Sequence, residues 1–290
     1  MKKIIFLFLA STALIYSCDK VDNPIPKKDI IVIDPGGIAW DDSTYAESTS
    51  SLRKIVLEEF TGHQCSQCPT GSTKIEQLVS TYGDQLIPVS LHAGFFAEPN
   101  SAGSGKYESD HRTEIGEAFN NFGLFAPVGY PAGMVNRIEL NGNITNGKDD
   151  WETIIQQIQN DAPKVKIKMY SLYDDSTRTI KESVETEWLT AEPNNYKLQV
   201  YVLENHIIDW QKDGTNEISD YDHKHMMRKA LNTDFGTDIP SSNAGDIFTN
   251  EDLVFELPDT WNVDNCSVVA LVYDATSYEI LQAEELHIKE

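Results

Sequence analysis

The chain has 290 residues, with 46 Asp and Glu against 23 Lys and Arg, a formal net charge of −23 at pH 7. A surface this acidic repels phosphate backbones and anionic headgroups, which excludes nucleic acid as a partner. The length beyond an N-terminal leader and tether fits two domains of ordinary size.

Met1-Lys2-Lys3 is a short basic start, followed by an apolar stretch from Ile4 to Tyr16. That stretch is too short for a membrane-spanning helix and has the shape of an export signal. It ends at Leu14-Ile15-Tyr16-Ser17-Cys18, a small residue before a cysteine. This resembles a bacterial lipoprotein signal, which implies removal of residues 1–17 and lipidation of Cys18. Residues 18–51 are polar and proline-bearing, apart from Ile30-Ile31-Val32-Ile33, a candidate edge strand. They read as a tether that holds the folded part off the membrane.

From Lys54 the pattern becomes that of a strand–helix domain spanning residues 52–162. Lys54–Phe60 is an apolar, β-branched run that reads as a buried strand. It leads into His63-Gln64-Cys65-Ser66-Gln67-Cys68-Pro69, and then Ile75, Leu78, Val79 and Tyr82 recur at helical spacing. Two thiols at a helix start meet unpaired N–H groups and the positive end of the helix dipole, which favour a thiolate and thiol–disulfide exchange. A structural disulfide and a zinc half-site stay open beside the redox reading. The second Cys-x-x-Cys that zinc would want is missing, and only His63 and His92 could complete a mixed site. Leu86–His92 is a second strand, Ala93–Lys106 a Gly- and Ser-rich loop, and Ile115, Ala118, Phe119 and Phe122 mark a helix. A turn at Gly129-Tyr130-Pro131 feeds a short strand over Ala132–Arg137. Trp151, Ile154, Ile155 and Ile158 form one face of a last helix.

From Lys164 the period changes to two. Val165–Met169, Ser183–Trp188, Tyr196–Leu203, Leu253–Leu257, Ser267–Tyr273 and Ile280–Leu286 read as six strands of an antiparallel β-sandwich over residues 163–290. Cys266 has no partner there and reads as a small buried hydrophobe. Glu204–Asn232 breaks the rule as a long polar connection carrying Trp210, Asp220-Tyr221-Asp222-His223-Lys224-His225 and Arg228. Asp222, His223 and His225 could ligate a metal, but their spacing has no signature, and neither metal nor cofactor is assigned.

Cys65-Ser66-Gln67-Cys68-Pro69 after a buried strand, with Tyr130-Pro131 before a later one, resembles the thioredoxin superfamily. The fold this implies is an α/β thioredoxin-like domain followed by the antiparallel β-sandwich. The resemblance makes Cys65 the attacking thiol, Cys68 the resolving thiol and Pro131 a cis-proline beside a groove for an extended substrate, which Tyr130 would touch. Glu59 falls where the family keeps a buried acid that carries a proton to the resolving thiol, although Glu58 could equally be the inward residue. His63 would stabilise the thiolate as an imidazolium. Gln64 stands where thioredoxins carry an aromatic, and Ala93–Lys106 lengthens the stretch before Pro131.

Taken with the signal, the tether and Asp222-His223-Lys224-His225-Met226-Met227-Arg228, the chain resembles the outer-membrane lipoproteins related to the twenty-eight-kilodalton outer membrane protein of Bacteroidetes-type bacteria. That resemblance implies a lipid anchor in the outer membrane, on its periplasmic or cell-surface face. The expected activity is thiol–disulfide exchange on protein or peptide thiols and disulfides in extended segments. The alternative is a surface binding or adhesion lipoprotein that uses the thioredoxin-like domain as scaffold. An exchange enzyme calls for an exposed, low-pKa Cys65 and a buried Cys68; a scaffold calls for both thiols buried, or a permanently oxidised pair.

Overall fold

The computed structural model describes residues 43–289; the signal stretch, Cys18 and Ile30–Ile33 lie outside them. In chain order the elements begin with β1 (Thr44–Glu47), β2 (Ile55–Thr61), α1 (Cys68–Tyr82), β3 (Leu86–His92) and α2 (Glu114–Asn121). Then come β4 (Ala132–Val135), β5 (Asn146–Gly147), α3 (Trp151–Ile158), β6 (Val165–Asp174), β7 (Thr179–Trp188) and β8 (Tyr196–Glu204). The last are β9 (Ile207–Asp213), β10 (Asn216–His223), β11 (Met226–Ala230), β12 (Thr237–Ile239), β13 (Ile247–Glu256), β14 (Cys266–Asp274) and β15 (Ile280–His287). Among the described residues the fold is mostly β-strand, with few helices and several sheets.

β2 and β3 are buried along their whole length because both faces are covered. They pair in parallel through the α1 crossover, and β4 adds antiparallel to β2. Period-two alternation divides β2. Ile55 and Leu57 face α1 and α3, in a core with Ile75, Leu78, Trp151, Ile154 and Ile155. Val56 and Phe60 face the opposite side, in a core with Ile115, Phe119, Tyr201, Val269 and Leu271. Each such fully buried aliphatic or Phe side chain is worth roughly 1.5–3 kcal/mol.

All six strands read from Lys164 onward form, as β6, β7, β8, β13, β14 and β15. β6, β7 and β13 pair antiparallel in one sheet. Their inner residues Ile167, Met169, Ile180, Val184 and Trp188 meet Leu198, Val200, Val202, Val268 and Ala270 of the facing strands. Residue 163 does not divide the sheets cleanly, however. The long sheet runs β15-β14-β8-β11-β3-β2-β4-β5, so β11 joins strands from both halves of the sequence through Met226 opposite Ser90.

Two expectations are corrected. Thr44–Glu47, read as tether, is an edge strand antiparallel to β6; the polar outward face of β6 leaves that edge open to pairing. Glu204–Asn232, read as a connection, contains β9, β10 and β11. Its strands are polar because β9 and β10 form a two-stranded hairpin off the main sheets, with little core to face. Cys266 is buried and free, as read.

Candidate functional site

The site starts where β2 runs out. Cys65 and Cys68 form a disulfide across the first turn of α1, with the Cys65 N–H donating to the Gly62 carbonyl at 3.0 Å and Cys68 N–H to the Cys65 carbonyl at 3.3 Å. Pro69 occupies the first turn, where its missing N–H has no partner to lose. Gly62 has no room for a side chain: a Cβ there would lie 2.5 Å from the Phe96 backbone.

Both cysteines are closed off, at 2% and 1% exposure. The cover is the β9–β10 hairpin. Gln211 Nε2 donates to the Cys65 carbonyl at 3.0 Å, Lys212 N–H to the His63 carbonyl at 2.8 Å, and Gly214 N–H to the Ser66 carbonyl at 2.8 Å. An exposed Cys65 was the expectation for an exchange enzyme. The structure has it buried, because a hairpin some 145 residues away in sequence hydrogen-bonds to the cysteine loop itself.

The Tyr130–Pro131 peptide bond is cis. Pro131 packs on the first turns of α1, where a Cβ added to Gly71 would come within 2.8 Å of Pro131 Cβ. Tyr130 is half-buried; its hydroxyl lies 3.0 Å from the Ala93 carbonyl and 2.7 Å from Asn120 Oδ1, and its ring lies 5.5 Å from Phe96. Phe95, Leu124 and Val128 in the neighbouring loops are exposed apolar side chains.

Glu58 and Glu59 are both inward, on opposite faces of β2. Glu58 faces Arg137, which donates to it from Nε at 2.8 Å and from Nη2 at 2.7 Å, and the Tyr201 hydroxyl lies 3.0 Å away. Glu59 faces α1: its Oε1 occupies the space beside Gly71 and Pro131. Among the described residues neither carboxyl oxygen of Glu59 has a hydrogen-bond partner. Burial pushes its pKa up to about 8, so at neutral pH it is mostly a carboxylic acid.

His63 departs from its expected role. Its ring is fully buried, and that burial lowers its pKa below the usual imidazole range. It is neutral near pH 7 and supplies no positive charge to a thiolate. Nor do Asp222, His223 and His225 converge. Asp222 reaches the exposed His206 at 3.0 Å, while His223 turns inward with His92.

Sequence reasoning missed the ion pair of Arg137, the hairpin cover and the gathering of His63, His92, His111 and His223. Only the unusual composition of Glu204–Asn232 signalled the last two.

Residues 119–290 match the family described as Outer membrane protein Omp28. The chain belongs to the Omp28 family. Membership places it at the outer membrane. The match begins inside α2 and so leaves out Cys65 and Cys68. Among solved structures, HBP35 of Porphyromonas gingivalis is similar over 82% of this chain and 76% of its own, at 20% identity and a TM-score of 0.62. That likeness is one of fold. A domain of the outer membrane lipoprotein Omp28 from Porphyromonas gingivalis matches over 44% of this chain and 89% of its own, at 23% identity and a TM-score of 0.29. No protein with a curated description matches the sequence. Among the described residues no helix is long and apolar enough to cross a membrane.

Proposed function

We propose that this protein is a lipid-anchored thiol–disulfide oxidoreductase-like protein of the cell envelope, built as a thioredoxin-like domain followed by a β-sandwich. Its exchange centre is Cys65–Cys68, and its substrates are thiols or disulfides in extended protein segments. The observation that carries this reading is Glu59, a buried acid with both oxygens unpartnered under the first turns of α1. An unpartnered buried acid costs stability, and a proton carrier is the use such a group has beside a disulfide.

The step balances as follows. A substrate thiolate attacks Cys65 Sγ, forming the mixed disulfide and breaking the Cys65–Cys68 bond. Cys68 leaves as a thiolate and takes the proton of Glu59. A second substrate thiolate then attacks the substrate sulfur of the mixed disulfide and releases Cys65, so the substrate loses two electrons and the cysteine pair gains them. The reverse sequence reduces a substrate disulfide. The exposed Phe95, Leu124 and Val128 near Tyr130 supply apolar contacts for an extended chain.

One observation favours the second reading, a surface binding or adhesion protein in which the domain is scaffold: the sulfur of Cys65 is closed under the hairpin. Exchange therefore requires the hairpin to lift. In Cys68→Ser, free Cys65 should form a mixed disulfide with a chromogenic aromatic disulfide at one equivalent per chain, and Cys65→Ser should not. Adding Gln211→Ala should speed the reaction by about tenfold, by removing a bond that closes the cover. A Cys65 thiol that reacts only after unfolding in guanidinium, with or without Gln211→Ala, establishes the scaffold.

Cys18 is proposed as the lipidated residue. Wild-type protein should partition into detergent, and Cys18→Ala should release a soluble form or block processing. An aqueous wild-type protein whose mature N-terminus lies elsewhere overturns this assignment.

A further inference from the structure

Four of the seven histidines gather in one buried place, from four separate stretches of chain. His63 follows β2, His92 ends β3, His111 precedes α2 and His223 ends β10. The rings of His92, His111 and His223 stand at mutual centroid separations of 5.6, 5.3 and 5.8 Å, and His63 lies 5.6 Å from His111. Two imidazoles sharing one tetrahedral ion at a metal–nitrogen length of about 2 Å place their centroids roughly 5 Å apart. The three rings are thus spaced nearly as a three-histidine site spaces them.

The outer nitrogens are held in the way metal-ligating histidines are held. His111 Nε2 meets Asp209 Oδ2 at 2.8 Å, His223 Nε2 meets the Trp210 carbonyl at 3.3 Å, and His63 Nε2 meets the Glu98 carbonyl at 3.1 Å. A carboxylate or carbonyl on the far nitrogen fixes the tautomer and turns the near nitrogen toward the ion. Asp209 in turn accepts from the Trp210 N–H at 2.7 Å, which holds the carboxylate behind His111 in place.

His92 is the observation that a purely structural cluster leaves unexplained. It is 3% exposed, and among the described residues neither of its ring nitrogens has a hydrogen-bond partner; His63 Nδ1 is likewise buried and unpartnered. A buried imidazole with both nitrogens idle costs free energy that a metal bond would recover. A small cavity of about 40 Å³ lined by His92, His223, Tyr221 and Lys224 gives an approach.

We propose that His92, His111 and His223 bind one divalent transition-metal ion of the zinc class, with the fourth position open and His63 beside His111. Imidazole nitrogen is the donor such ions prefer among the side chains at this place, since the sulfurs of Cys65 and Cys68 are tied in the disulfide. Among the described residues no group of three His, Cys, Asp or Glu side chains is placed to hold an ion as it stands, so the ion must draw the rings together by about half an ångström.

The test uses the full chain, stripped with chelator and left oxidised. Titration with Co²⁺ should give visible d–d bands saturating at one ion per chain, without sulfur-to-cobalt charge transfer, and Zn²⁺ should displace the cobalt. At about a hundredfold excess over Kd, Zn²⁺ should raise the melting midpoint by roughly 5–10 °C. His92→Gln and His111→Gln should each abolish the bands, and His206→Gln, at an exposed histidine, should leave them. If the substitutions unfold the chain, the wild-type cobalt adduct decides by proton NMR, where ligating imidazoles give strongly shifted, exchangeable N–H signals. Folded wild-type protein that binds no ion, bands that survive both substitutions, or a cobalt adduct without those signals overturns the site. Loss of thiol exchange does not bear on it, because the disulfide stays closed throughout.

Discussion

Arg137→Met is expected to destabilise the protein by about 3–5 kcal/mol, the usual cost of leaving one partner of a buried ion pair alone. The guanidinium is 2% exposed as a residue and lies between faces that belong to different parts of the chain. Glu58 of β2 accepts two of its N–H bonds, the Tyr201 hydroxyl of β8 lies 2.9 Å from Nη2, and the rings of Phe119, Phe125 and Tyr273 sit 4.9–5.3 Å from its centre. Burial alone would lower its pKa, but Glu58 outweighs burial and raises it, so the guanidinium stays charged. Methionine keeps the apolar stem and strands the Glu58 carboxylate in a dry site. Urea denaturation should show a lower midpoint with an unchanged slope. The double variant Glu58→Leu/Arg137→Met should recover most of the loss, since it removes both charges. A single-variant loss below about 1 kcal/mol would show that water reaches Glu58.

Glu59→Gln should have the opposite sign and depend on pH. The carboxyl pKa is raised from the ordinary 4.5 to about 8. The folded state therefore holds a proton that the unfolded chain releases as pH rises past the ordinary value. Its stability contribution is intact below about pH 4.5 and declines up to about pH 8, where the folded form ionises too. At 1.36 kcal/mol per unit, the full decline is at most about 5 kcal/mol. Glutamine keeps the shape of the neutral acid without the proton equilibrium, so the variant should match wild type near pH 4.5 and exceed it by several kcal/mol at pH 9. Glu182, also raised to about 8, adds to the slope in the same window; the difference between variant and wild type isolates Glu59. Denaturation midpoints across pH 4.5–9 that run parallel for the two proteins would show that the acid is solvated. In the exchange assay Glu59→Gln should slow the step in which Cys68 leaves, because it removes the proton donor.

Much of this was written in local sequence. The β-branched run before His63 reads as a buried strand, and Ile75, Leu78, Val79 and Tyr82 at helical spacing follow Cys68, so the cysteine pair falls at the start of α1. Strict alternation over Val165–Met169 made β6 legible, and the apolar, β-branched run of Ser267–Tyr273 made β14 so. The uncertainty between Glu58 and Glu59 had a physical origin. Alternation says that neighbours face opposite sides, but a local pattern cannot say that both sides are covered. Covered they are, by α1 on one side and by α2 with the C-terminal strands on the other, and so both acids are inward.

The sequence by itself determined the chain's compartment signal, the thiol pair at a helix start, the proline before β4 and the alternating strands, because each rests on spacings of a few residues. Only the tertiary structure decided that Cys65 is closed, that Glu58 has a cationic partner while Glu59 has none among the described residues, and that His92, His111 and His223 meet. Those depend on contacts such as Gln211 with Cys65 and Arg137 with Tyr201, made by residues 64 to 146 positions apart. The polar strands β9 and β10 carry no alternating core pattern, because their order comes from hydrogen bonds to the cysteine loop, and backbone hydrogen bonds leave no mark on side-chain periodicity.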